Sequence, residues 1–173
     1  FPHHSIDSYL PKLVRAGLRV AICDQLEDPK SVKGIVKRGV TELVTPGVTF
    51  NEQVLTSKKN NFLLSIHKEK EKFGMGLVDI STGEFLVSEG NLEKLLHIVS
   101  TFDPSEIIYQ RTTELPSQLK NKNSFKLEDW AFQYNYAYEK LTNHFKTNSL
   151  KGFGVEEMKL GIVSAGAIFA YLV

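Results

Sequence analysis

The residues best able to do chemistry in this sequence do not converge on one another. Its five histidines, His3, His4, His67, His97 and His144, are scattered without an acid or nucleophile at a spacing that would make an acid–base pair. Cys23 is the single cysteine, which excludes an internal disulfide and a Cys-based zinc site and fits a reducing compartment. Asp79, followed by Ser81-Thr82-Gly83-Glu84, has the look of an acidic phosphate loop. Two-metal phosphodiester hydrolysis, however, needs several carboxylates converging on ions roughly 3.5–4 Å apart. The strand-like run Phe62 to His67 offers none, and Ser105 to Tyr109 is not followed by one. Asp79 is therefore read as setting a turn. No Gly-rich loop ending in Lys-Ser or Lys-Thr occurs, so this stretch has no nucleotide-hydrolysing loop. Metal ligands, cofactor sites and catalytic residues are all expected to be absent.

Binding is the alternative to catalysis. Lys30, Lys33, Lys37 and Arg38 form a run with no acid between Asp28 and Glu42. Such a run either contacts nucleic-acid phosphates, which position a protein without reading sequence, or is a solvated loop. Farther on, Tyr134, Tyr138, Leu141 and Phe145 recur at helical spacing and are expected in the core. That spacing leaves Asn135, Glu139, Lys140 and Asn143 on the opposite, exposed face, a candidate partner surface.

The elements that must position these groups follow from periodicity. Ile6 to Val14 reads as a helix with Ser5 as cap and Gly17 as stop, and Pro11 predicts a start near Ser8 or a bend. Leu18 to Cys23 and Thr41 to Val44 read as strands, the second closed by Thr45-Pro46-Gly47. Phe50 to Asn61 is polar and reads as a linker. Three strands follow, at Asn61–His67, Phe73–Ile80 and Glu84–Glu89, the last two joined by a turn too short for anything but a hairpin. A helix over Leu92–Phe102 capped by Asn91, a strand over Ser105–Tyr109, a short helix over Glu114–Lys120, an extended run over Phe125–Trp130 and a helix from Tyr134 complete the unit. A last apolar helix ends it. The order β-β-β-α-β-α-β-α predicts an α/β fold with a mixed sheet and helices on its faces, similar to the ribonuclease H-like architecture. A compact α/β fragment precedes it.

The 173 residues suffice for one domain or two small ones; 21 basic against 20 acidic residues leave a net charge of +1, with no global nucleic-acid footprint. The opening at Phe1 and the uncapped apolar run Leu160–Val173 suggest an internal piece whose last helix packs partly on segments outside it. That run is too short for a membrane span of about 20 residues, no secretory signal is expected at the start, and a cytoplasmic location is.

Several strings in order resemble the MutS family of DNA mismatch-repair proteins. They are Pro2-His3-His4-Ser5, Arg19-Val20-Ala21-Ile22-Cys23-Asp24-Gln25-Leu26-Glu27-Asp28-Pro29 and Val44-Thr45-Pro46-Gly47. Tyr9-Leu10-x-Lys12-Leu13, Lys33-Gly34, Arg38-Gly39-Val40, Leu77-Val78-Asp79-Ile80-Ser81-Thr82-Gly83-Glu84-Phe85 and Gly152-Phe153-Gly154-Val155-Glu156 complete the set. The resemblance implies that residues 1–55 are the back portion of a mismatch-binding domain and 56–173 a connector domain. The family's lever, clamp and ATPase parts would follow Val173, with ATP and Mg²⁺ expected only there. It further implies mismatched duplex DNA and MutL as partners and a parent homodimer, with the present chain a monomer. Phe50-Asn51-Glu52 imitates the family's Phe-x-Glu mismatch reader, but that motif lies well upstream of Pro2-His3-His4, so this copy is read as linker. Two other readings stand beside this one: a metal-dependent nuclease of ribonuclease H type, and a structural spacer.

Overall fold

A computed structural model describes residues 5–31, 34–48 and 60–172, and the chain divides into two compact units, Phe1–Lys59 and Asn60–Val173. In the first unit α1, Ile6–Arg15, turns Leu10, Pro11 and Val14 inward and ends before Gly17, whose φ of 84° reverses the chain. The helix neither waits for Ser8 nor stops at Pro11. Proline at that position removes only the bond to the Asp7 carbonyl, and Asp7 is exposed on the first turn, where water can serve it. β1, Val20–Gln25, and β2, Arg38–Val44, form an antiparallel pair from Val20 opposite Val44 to Gln25 opposite Arg38, with an irregularity after Ile22. Both strands extend beyond the apolar runs that predict them, because ladder pairing continues through the polar residues. Leu10, Val14 and Val44, with Val20 and Ile22 against them, make a small core. Thr45 and Val48 exchange backbone bonds of 3.1 and 3.2 Å, which closes the Thr-Pro-Gly turn.

The second unit is built on a five-stranded sheet of order β5-β4-β3-β6-β7. β3 (Phe62–Glu69), β4 (Lys72–Asp79) and β5 (Glu84–Gly90) form an antiparallel meander. β6 (Glu106–Gln110) and β7 (Ser124–Leu127) continue the sheet in parallel from β3. α2, Leu92–Phe102, starts at Asn91, whose side chain accepts the Lys94 N–H at 3.0 Å. Its Leu95, Ile98 and Val99 pack with Phe62, Leu64, Ile66, Met75, Leu77 and Ile107 into the larger core. The alternate residues of β3 and β4 face the other way, toward α4, Lys159–Leu172. α4 sits so close that a Cβ on Gly74 would lie 2.0 Å from the Leu160 carbonyl oxygen. α3, Tyr134–Phe145, packs in turn on α4, where a Cβ on Gly166 would lie 2.2 Å from that of Ala137.

Gly161 to Ile168 of α4 are buried between the sheet and α3, while Phe169 to Tyr171 are half-buried and Leu172 is exposed. Between β6 and β7 the expected short helix is a single 3-10 turn, Ser117–Leu119. With Pro116 opening it and Leu119 buried, the segment is an anchored loop rather than a helical layer.

Candidate functional site

Of the basic run, Lys30 and Lys37 lie on the connection between β1 and β2, and Arg38 lies on β2 itself. Asp28 organises a turn in which its carboxylate accepts the Lys30 N–H at 2.9 Å and its carbonyl accepts that of Ser31, leaving the Lys30 side chain in solvent. Lys37 stands just before β2 and Arg38 begins it; both are exposed. The run is acid-free in sequence but not in space. Glu27 accepts the Lys37 N–H at 3.1 Å and places its other carboxylate oxygen 3.8 Å from Lys37 Nζ. That pair offsets part of the positive field, though an exposed pair of this kind is worth only ~0–1 kcal/mol. Lys33 and the Phe50-Asn51-Glu52 string lie outside the described residues.

On α3 the polar set stands as its spacing implies: Asn135, Glu139, Lys140 and Asn143 are all exposed. The buried residues on the opposite side are Ala137 and Leu141, with Tyr134 and Tyr138 half-buried against them. Phe145 departs from expectation. It is 38% exposed rather than core, standing at the last residue of the helix with its ring against Phe85 and Phe153. Two residues absent from the sequence-based face extend it. Tyr136 meets Trp130 edge-on at 5.1 Å, Trp130 is 53% exposed, and Lys140 Nζ lies 5.6 Å from the Tyr136 ring. Trp130 precedes the helix in a 3-10 turn, Asp129–Phe132, so helical periodicity could not reach it. The Tyr138 hydroxyl donates to Glu156 at 3.0 Å, and this bond to a carboxylate, together with burial, raises its pKa above the usual phenol value.

Asp79 has no solvent exposure. One of its oxygens accepts both the Ser81 N–H at 2.9 Å and the Ser81 hydroxyl at 2.6 Å, and the other accepts the Asn61 N–H at 3.0 Å. Burial alone would raise its pKa; the hydrogen bonds from Ser81, Asn61 and Thr82 outweigh it and hold the carboxyl below the ordinary value. Its acceptors are engaged in joining the start of β3 to the β4–β5 turn. Among the described residues no group of three or more His, Cys, Asp or Glu is placed to hold a metal ion. His67 stacks on Phe132 at 5.7 Å with its Nδ1 buried and unpartnered, while His97, His144 and the Cys23 thiol are exposed. No helix of the described residues is long and apolar enough to cross a membrane.

Fold and surfaces together define a two-unit α/β fragment whose polar groups of interest stand on exposed faces rather than around a cleft. Residues 61–173 match the family described as MutS domain II, and residues 1–53 match MutS domain I. The chain is 59% identical to the DNA mismatch repair protein MutS of Flavobacterium psychrophilum and 57% to that of Cytophaga hutchinsonii. It is 53% identical to the MutS of Bacteroides thetaiotaomicron. Each alignment covers 99% of this chain and 20% of the relative, so the chain spans a fifth of the length of these proteins. The chain belongs to the MutS family.

Proposed function

We propose that this chain is a non-catalytic coupling region of a mismatch-recognition protein. Residues 1–55 form the back of the mismatch-binding domain, and 56–173 form a connector of ribonuclease H-like architecture. In this reading the connector transmits the DNA-bound and ATP-bound state of the longer protein to MutL by offering a docking surface. The observation that carries it is the exposed face of α3, with Asn135, Glu139, Lys140 and Asn143 in solvent on a helix fixed from behind by Ala137 and Leu141. Such a face supplies hydrogen-bonding groups of both charge signs on a rigid support, which suits specific protein contact.

In the same reading Lys30, Lys33, Lys37 and Arg38 meet the phosphates of mismatched duplex DNA and fix its position without reading bases. The working protein is a cytoplasmic homodimer through parts beyond this chain, while this chain alone is a monomer. ATP and Mg²⁺ belong to the ATPase part of the longer protein.

The test is a fourfold alanine variant of Asn135, Glu139, Lys140 and Asn143 assayed for MutL binding. At least a tenfold loss of affinity with an unchanged melting temperature is expected; unchanged affinity sinks the assignment of the face. Incubation with single- and double-stranded nucleic acid and Mg²⁺ or Mn²⁺ separates this reading from a nuclease, since metal-dependent turnover would defeat it.

A further inference from the structure

Four polar side chains do not by themselves make a docking surface. Interfaces concentrate their binding energy in a few aromatic or arginine anchors, with a polar rim around them that excludes water. Asn135, Glu139, Lys140 and Asn143 supply such a rim on α3 but no apolar centre. Two aromatic pairs beside α3 reach solvent, Trp130 with Tyr136 and Phe145 with Phe153. Helical geometry tells them apart. Glu139, Lys140 and Asn143 follow Tyr136 by three, four and seven residues, so all four share one face. Phe145 follows Tyr136 by nine residues, about two and a half turns at ~3.6 residues per turn, and stands on the opposite side.

Trp130 and Tyr136 meet at a right angle with their ring centres 5.1 Å apart, Trp130 exposed and Tyr136 half-buried. Lys140 Nζ lies 5.6 Å from the Tyr136 ring, so the pair and the polar set form one continuous surface. The turn Asp129–Phe132, which displays the indole, is fixed on both sides of it. Ala131 and Phe132 are buried against Val163 and Ala167 of α4, and Phe132 stacks on His67 at 5.7 Å. Ahead of the indole, the Asp129 carboxylate accepts the Thr112 hydroxyl at 2.9 Å, and Glu128 pairs with Arg111. A large ring held partly out of water on a fixed backbone gives up little freedom on association, as an anchor should.

Given that the α3 face docks MutL, as proposed above, we infer that Trp130 and Tyr136 are the apolar centre of that face, with the four polar side chains as its rim. The Trp130 ring enters an apolar recess on MutL and contributes more to binding than any of the polar four.

Trp130 is the only tryptophan of the chain, so growth on 5-fluorotryptophan places a single fluorine reporter at this position. Titration with unlabelled MutL of the same organism is expected to shift or broaden its resonance. The same titration should reduce the H2O-to-D2O isotope shift, which reports contact of the ring with solvent. In biosensor titrations Trp130→Ala weakens MutL binding about tenfold or more, and Trp130→Phe recovers most of the loss. Phe153→Ala, whose ring lies against Phe145 on the far side of the helix, binds as the parent does. The fluorine measurement needs no substitution and decides the matter even where Trp130→Ala fails to fold. Saturable binding with an unmoved resonance, parent-like binding by Trp130→Ala, or an equal loss from Phe153→Ala overturns the inference and leaves the face itself to the fourfold alanine variant. No saturable binding overturns the inference together with the docking reading beneath it. A resonance that moves with the concentration of the chain alone assigns the pair to a second copy and overturns it as well.

Discussion

Asp79 and His67 show how burial decides a residue's role. Both oxygens of Asp79 accept hydrogen bonds, so Asp79→Asn must turn an amide N–H toward either Ser81 or the Asn61 N–H, whichever way it is flipped. A loss of about 1–3 kcal/mol in denaturant titration at pH 7 is expected from the donor left facing a donor. Its folded pKa is lowered, so its stabilisation is present above the ordinary carboxylate value and lost as pH falls through the folded value. The variant should therefore show a flatter acid limb than the parent. His67 behaves differently because its neutral form is the one favoured. Burial lowers its pKa, against the opposing pull of Glu69 and a hydrogen bond with Gln110. Stability is full above the ordinary imidazole value and declines as pH falls toward the lowered one. His67→Phe, which keeps the stack on Phe132, should flatten the stability slope between neutral and mildly acid pH. An unchanged slope would show that the imidazole is already hydrated. The turn-setting part of Asp79 was legible in Asp-x-Ser-Thr-Gly, because those bonds are local. Its burial was not, because the Asn61 N–H arrives from a distant stretch of chain just before β3.

At the scale of elements, the most consequential contact runs from β5 to the start of α4. Glu89 accepts the Leu160 and Gly161 N–H groups, the latter at 2.9 Å, so a carboxylate from the sheet edge caps the helix on which α3 rests. Glu89→Ala should cost roughly 1–2 kcal/mol in chemical denaturation, a typical cap loss. Gly74→Ala should cost more, about 3 kcal/mol or outright loss of cooperative unfolding, since its Cβ would collide with the Leu160 carbonyl. If both variants melt like the parent, α4 is not docked as described. Periodicity identified the helices and strands of the second unit well, because the stripe on α2, its Asn91 cap and the β4–β5 turn are all local signals. It failed at Ser117–Leu119, where a short polar run was read as helix, and at Phe145, the last residue of α3, which is 38% exposed. Helical spacing tells which residues share a face; it does not tell how deeply each of them is buried.

For the whole molecule, a net charge of +1 means that attraction to DNA has to come from a local cluster. Were Lys30, Lys33, Lys37 and Arg38 all to meet phosphates, the logarithm of the binding constant would fall with the logarithm of salt at a slope of about −3 to −4. A fluorescence titration of duplex DNA across salt concentrations checks this: a slope near zero, or indifference to Lys30→Ala with Arg38→Ala, would remove the cluster from the DNA surface. The exposed α3 face was legible in the sequence as a set of positions, since a helix buries one side whatever it binds on the other. The Trp130–Tyr136 pair was not legible, because Trp130 stands in a 3-10 turn ahead of the helix that carries Tyr136. The most direct measurement is a biosensor titration of this chain against the MutL protein of the same organism at low and moderate salt, with folding checked by circular dichroism. Saturable binding that survives moderate salt is the predicted result. A folded chain that shows no saturable binding at either salt would contradict an autonomous docking surface on this connector.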